Sequence, residues 1–475
     1  MTTMERIATG PLERDREKFL TLLTAARDAA DEDGHWKIVS VSLASKAHID
    51  PLAVLESIYE GEARHFYLEH PERDAALAGA EAVVERSYSG PGRFAQARDF
   101  ARDLFENTIA VGELELPLAG PKLFAAFSFE DEADADAPFA PATLFLPRWQ
   151  VTSSSGAYVA TANLIVEPGG DIEAQAERAL AAHAKFSGFS YEKSFPELPH
   201  DAGKPLFRPG AGSDAYRAAV AKALEIIDSG ALEKVVVARR EAFESPGPIH
   251  PLRTLAILRE RFPSCRSFSF GGPDAAFIGA TPELLARVCD GLVESEALAG
   301  TTARGRSASE DAALASELMA SDKEMREHAA VARAVHAALE SLGLSPGPMP
   351  RPRIHRLPNA QHIRTPFAAK LREGLHLFDI AAALHPTPAT CGLPRAAAVR
   401  AIADIEGAPR GLFSGLVGWC DDADGGELAV ALRSGLVDGN RAVLYAGAGI
   451  VRGSTPGAED RETLLKLSAL GEAIF

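Results

Sequence analysis

Glu459, Glu462 and Lys466 follow one another at i, i+3 and i+7, which puts two carboxylates and an amine on one face of a helix. Both acids fall in the first turns after Thr455-Pro456, where the helix dipole favours anions. The same pattern also describes an ordinary surface helix with a Glu-to-Lys i,i+4 pair. A second acidic group, Asp322, Glu324 and Glu327, with His328 beside it, lies in an Ala-rich helical stretch. Two helices that each bring a carboxylate suit Mg²⁺, a hard cation bound by oxygen and water. Spacing alone does not bring the two helices together. Lys234 opens the apolar run KVVVAR, either as a solvated amine at a strand mouth or as a desolvated general base. Glu283 in GATPELL follows a proline and precedes two leucines, as a buried acid of raised pKa or as an acidic helix start.

These residues need elements to hold them. Ser213 is placed to cap a helix with Tyr216, Val220, Leu224 and Ile227 on its inner face, stopped by Ser229-Gly230. Lys234–Arg239 is expected as a strand, with Lys234, Val236 and Ala238 on one side. Phe268–Gly272, Ala276–Gly279 and Arg441–Ala448 read as further strands, and Glu310–Leu344 as one long helical region. In the N-terminal part, Lys37–Leu43 alternates as a half-buried strand, and 171–183 has a helical face at Ile172, Ala176, Ala179, Leu180 and His183. Glu130–Asp136 reads as a solvated acidic loop. The Pro/Gly-rich stretch Phe195–Gly212 is the best internal boundary. Helices and strands alternate irregularly, which favours α+β over a doubly wound sheet.

The chain has 475 residues, 46% of them hydrophobic, and 49 Lys plus Arg against 66 Asp plus Glu, a formal charge of −17. That is a globular composition, and its surplus of acid argues against nucleic-acid partners and anionic membranes. Four cysteines without a C-x-x-C pair give no disulfide scaffold. Met1–Arg14 lacks the apolar core of a signal peptide, and no apolar run is long enough to span a bilayer, so a soluble cytoplasmic protein is expected. Gly447, Gly449 and Gly453 miss the dinucleotide fingerprint by one position, and too little chain follows them. No phosphate loop, H-E-x-x-H helix or His/Cys zinc spacing is present.

Taken in order, KVVVAR (Lys234–Arg239), GATPELL (Gly279–Leu285), EALAGT (Glu296–Thr301), SDKEMREH (Ser321–His328), HPTPA (His385–Ala389), GLVGWCD (Gly415–Asp421) and GAGIVRGSTPGAEDRET (Gly447–Thr463) resemble the chorismate-utilising enzymes. The resemblance covers about residues 210–475. It implies a single large α+β unit of antiparallel sheets surrounded by helices, similar to the anthranilate synthase large subunit. Residues 206–475 would form the chorismate-binding catalytic region, and residues 1–205 a divergent half contributing to the same sheet core.

The resemblance also implies roles. Lys234 matches the base that activates water and Glu283 the general acid. Glu327 and Glu462 match the Mg²⁺ ligands, with Glu459 nearby acting through water on the metal. Arg433, Lys466 and the Gly447 backbone match the groups that receive a substrate carboxylate. Gly300, Thr301, Ala389 and Phe413 line the ring pocket.

Within the family, HPTPA and GLPR are similar to isochorismate synthases, which convert chorismate to isochorismate by adding water at C2 and losing the C4 hydroxyl. Aminating relatives typically carry Thr or Ser in place of Ala389 and Lys in place of Arg395, and take ammonia from a glutamine amidotransferase, which is not expected here. Salicylate synthases make the same intermediate and then eliminate pyruvate; they often carry Tyr in place of Phe413. A catalytically silent chorismate-binding protein is a further alternative. The length of the N-terminal region resembles menaquinone-pathway isochorismate synthases more than siderophore-pathway ones.

Overall fold

The computed structural model describes residues 5–7 (backbone only), 16–58, 63–177, 208–358 and 360–475. Among the described residues, twenty strands join in one connected sheet. Every pairing is antiparallel except those that Thr108–Gly112 makes with Glu5–Ile7 and with Lys37–Ala44. The expected α+β class is therefore what the chain adopts. Two pairings join the N-terminal part to the C-terminal part: His65–His70 with Arg266–Gly271, and Leu123–Phe127 with Leu416–Cys420. Residues 195–207 of the expected boundary Phe195–Gly212 lie outside the described residues, as does the 171–183 helix beyond residue 177; residues 172–177 are helical and Ala176 is buried.

The Val-rich run forms a longer strand than its motif, Lys234–Glu244. It pairs along its full length with Arg441–Val451, from Lys234 opposite Val451 to Glu244 opposite Arg441. Gly392–Leu393 closes its other edge at Lys234 and Val235. β-Branched residues favour this doubly flanked position because their stiff side chains pack well on a pleated surface.

Three expectations need correction. The helix at 213 runs Ser213–Asp228, but Gly212 holds the N-cap position and Ser213 lies inside the first turn. Its hydroxyl accepts from Arg239 instead. The fully buried face is Tyr216, Val220, Ala223 and Ile227, with Leu224 only half buried. The long Ala-rich region is two helices, Ala308–Ala320 and Asp322–Ser341, divided at Ser321. Ser321 has extended backbone and its side chain accepts from the Glu324 amide, so it caps the second helix. The acidic loop is exposed at Glu132, Asp134 and Asp136, but Glu130 is half buried and accepts from the amides of Arg410 and Gly411.

The C-terminal helix, Pro456–Ile474, begins as expected and is fixed by charge on its rear face. Buried Asp460 accepts from Arg239 at 2.7 Å and from Arg217 at 2.7 Å, and Arg239 also pairs with Glu241. This network ties the helix to the lysine strand and to Ser213–Asp228. Arg239→Ala leaves two buried carboxylates short of a partner, and urea unfolding is expected to show a loss of about 3 kcal/mol. Arg217→Ala, at a half-exposed residue, is expected to cost less in the same measurement.

Candidate active site

The lysine strand, its partner strand and the start of helix Asp322–Ser341 surround one cavity. All the residues given a catalytic, metal or substrate role by the family resemblance line it except Glu459; Asp322, Glu324 and His328 do not. Lys234 is 4% exposed, and its Nζ donates to Glu327 Oε1 at 2.8 Å. It is therefore no solvated amine at a strand mouth. Gly449, on the partner strand, allows this approach: a Cβ there would lie 3.0 Å from both Glu327 Oε1 and Lys234 Cε.

Glu327 is carried by the helix that Ser321 caps, and His328 keeps that helix on the sheet. His328 Nδ1 faces the Ala299 carbonyl at 3.2 Å, so it carries the proton, and Nε2 accepts from Thr365 Oγ1 at 2.7 Å. Buried and neutral, His328 is a packing group and not a ligand.

Glu283 lies in the short link between strands Ala276–Thr281 and Leu284–Cys289, not at a helix start. Its backbone is held by Thr281 and Val430, and Thr387 Oγ1 lies 3.5 Å from its Oε1. Burial, with the negative charge of Glu296 added, pushes its carboxyl up to about 8, against the pull of Lys234 and Lys466. Glu296 is itself buried, accepting from the Leu284 amide at 3.1 Å and from Arg364 at 2.5 Å. The cavity thus presents a buried amine and a neutral acid.

On the C-terminal helix, Lys466 Nζ donates to Glu462 at 2.8 Å and to the Gly447 carbonyl at 2.9 Å. Lys466 holds Glu462 below the usual carboxylate range against the opposing effect of burial. Glu459 is buried one turn earlier. Burial and the charge of Glu462 push it up. Burial and the charge of Glu327 do the same to Glu324. Glu324, Glu327, Glu459 and Glu462 form an all-oxygen set of a kind that hard divalent cations use. Among the described residues no three His, Cys, Asp or Glu side chains converge into a ready metal cage.

The floor is shaped by irregular backbone. Gly300 sits at a register shift in strand Leu292–Ala303, with φ +79° and only 3.3 Å between a would-be Cβ and Glu324 Oε2. A larger residue is excluded there by both conformation and space. Arg433 (φ 48°) and Ser414 (φ 61°) also line the cavity in the left-handed region, a strain that concentrates at functional sites.

Among the lining residues that sequence reasoning missed are His362 and Tyr445. His362 Nε2 lies 3.2 Å from Arg433 and Nδ1 lies 2.9 Å from Thr301 Oγ1. Arginine only donates, so Nε2 accepts and the proton sits on Nδ1. Nothing in the QHIRT segment marks this histidine as inward-facing. Tyr445 stacks on Phe413 with centroids 5.3 Å apart and planes 14° apart. Its two-residue spacing from Gly447 and Gly449 was the signal that could have found it.

Residues 23–475 match the family described as chorismate binding enzyme. The chain belongs to that family. Among curated relatives, the salicylate biosynthesis isochorismate synthase of Pseudomonas aeruginosa is 34% identical, with the match covering 90% of this chain and 88% of that protein. Isochorismate synthase MenF of Bacillus subtilis is 31% identical over 94% of this chain and 95% of its own. The solved structure of the menaquinone-specific isochorismate synthase MenF of Escherichia coli superposes with a TM-score of 0.77 at 26% identity, covering 95% of this chain and all of that one. This chorismate-binding protein thus shares both family and fold with its relatives along nearly its whole length. Among the described residues no helix is long and apolar enough to cross a membrane.

His362 is held neutral by burial and by the charges of Arg433 and Lys466, well below the usual histidine value. NMR of histidine-labelled protein is expected to show no titration of His362 from about pH 5 to about pH 8, where an unperturbed histidine changes charge.

Proposed function

We propose that this protein is an isochorismate synthase, converting chorismate to isochorismate. The observation that carries the reading is the pairing, in one cavity, of buried Lys234 with a Glu283 carboxyl that keeps its proton near neutral pH. Lys234, as the neutral amine, takes a proton from the water that adds at C2 and becomes the ammonium that Glu327 compensates. Glu283 gives its proton to the C4 hydroxyl, which leaves as water while the ring double bonds shift between the two carbons. The full-length likeness to relatives named isochorismate synthases supports the same product.

Mg²⁺ is the cation this site fits. Glu327 and Glu462, flanked by Glu459, are its proposed holders, and when bound it supplies positive charge to one substrate carboxylate. Arg433 and Lys466 are the cations proposed for the other, and Arg433 is kept in place by His362. Water as nucleophile makes a glutamine amidotransferase unnecessary, and we read the chain as acting without one in the cytoplasm. We place its product in menaquinone synthesis, on the likeness to the menaquinone-specific E. coli enzyme.

Chorismate incubated with Mg²⁺, with and without ammonium, and resolved by chromatography tests the product. Isochorismate is expected as the lasting product in both; anthranilate or salicylate as the main product would sink the proposal. Lys234→Ala and Glu283→Gln are each expected to lower kcat by roughly 10²–10⁴-fold. Because Glu283 must be protonated to act, turnover is expected to fall as pH rises through about 8. An alkaline limb that persists unchanged in Glu283→Gln would assign it to another group. Ala389→Thr places a hydroxyl in the ring pocket and is expected to change the partitioning of products in the same assay.

A further inference from the structure

The face that forms the catalytic cavity continues past it. Along strand Lys234–Glu244, Lys234 and Val236 face the catalytic cavity, and Arg240 and Ala242 lie further along the same side. On the partner strand, Gly447 and Gly449 line the catalytic cavity and Val443 and Arg441 the continuation, with Tyr445 lining both. The stacked rings of Phe413 and Tyr445 stand between the two compartments. The second compartment holds about 500 Å³, within the usual range for small-molecule sites.

Its chemistry differs from that of the catalytic cavity. The floor is apolar, with Phe277, Leu436, Val443 and Ala242 lying side by side across neighbouring strands. At its inner end, Arg240 and Tyr445 are direct cross-strand neighbours. Among the described residues neither the Arg240 guanidinium nor the Tyr445 hydroxyl has an ion-pair or hydrogen-bond partner. Arg410, on the adjoining wall, is by contrast fully engaged by Glu406 and by backbone carbonyls. The opposite rim carries the exposed acids Glu132, Asp134 and Asp136.

We infer that this second compartment is a binding site for a small aromatic monocarboxylate, held by Arg240 and the Tyr445 hydroxyl with its ring on the Phe277–Val443 floor. A planar guanidinium beside a phenol hydroxyl offers a carboxylate converging donors, and the flat apolar floor takes a ring. The acidic rim repels a second negative charge, so the site discriminates against dianions such as chorismate. Because Tyr445 is shared and stacked on Phe413, an occupant presses on a wall of the catalytic cavity. This last step rests on the proposed function; the binding itself does not.

Calorimetric titration of the full-length chain with benzoate, using benzamide as the uncharged control, tests the site. Benzoate is expected to bind and benzamide not to. Arg240→Gln, at an exposed residue outside the catalytic cavity, is expected to weaken benzoate binding roughly tenfold to a hundredfold with unchanged Tm. In steady-state assays benzoate is expected to lower kcat for chorismate without raising KM, an effect absent from Arg240→Gln, whose basal turnover matches the unsubstituted enzyme. Failure of benzoate to bind, binding indifferent to Arg240→Gln, or purely competitive inhibition would overturn the inference. Absence of any chorismate turnover would defeat the proposed function and leave the calorimetric result to decide the site.

Discussion

A lysine buried in a β-sheet must be given an opposite charge, and this fold is arranged around meeting that demand at Lys234. Holding an ammonium away from water without a partner costs several kcal/mol, and Glu327 at 2.8 Å supplies the compensation. The two residues are 93 positions apart, on a strand and a helix that must meet at one point. The strand is fixed on both edges, by Arg441–Val451 and by Gly392–Leu393. The helix is started at the right residue by Ser321 and held against the sheet by His328. Gly449 then leaves the space through which the pair forms. Each of these features is ordinary in itself; together they set the position of one amine.

The remaining charges of the cavity are balanced in the same local way. An overall charge of −17 is a poor background for binding an anionic ligand, and the cavity overcomes it by sorting its acids. Glu283 is kept neutral by burial beside Glu296, and Glu296 is itself paired with Arg364. Glu462 is paired with Lys466. His362 stays neutral so that it can accept from Arg433 instead of repelling it. What an incoming anion meets is therefore Arg433 and Lys466, with the neighbouring carboxylates either protonated or already engaged.

Much of this was legible in the sequence, though unevenly. The strand at Lys234 and the C-terminal helix were readable because a valine run and a Thr-Pro helix start act over a few residues. The break at Ser321 was written in its S-x-x-E spacing, but alanine favours helix so strongly that the surrounding residues read as continuous. The gathering of distant motifs into one site came from their resemblance to a known family, and no periodicity could have supplied it. Glu283 was ambiguous for the same reason: whether a carboxyl after a proline is buried depends on Val430 and Thr387, more than 100 residues away. The missed His362 depends on Arg433 and Thr301, contacts that exist only once two strands are in register and the turn at Arg433 closes over them.

One feature of the sequence bears on specificity differently from what its position suggests. Arg395 in GLPR separates this chain from the aminating relatives it resembles, yet Arg395 does not line the cavity. Its guanidinium donates to the carbonyls of Ala383, Leu384 and His385, at the C-terminal end of helix Leu377–Leu384. Those are the orphan acceptors that every helix end must satisfy, and a planar fork reaches three of them where an ammonium cannot keep the same spread. The segment so anchored runs directly into Pro386–Ala389 and sets Ala389 in the cavity wall and Thr387 beside Glu283. Arg395 thus bears on the cavity only through the chain it anchors, four residues before Ala389 at His385.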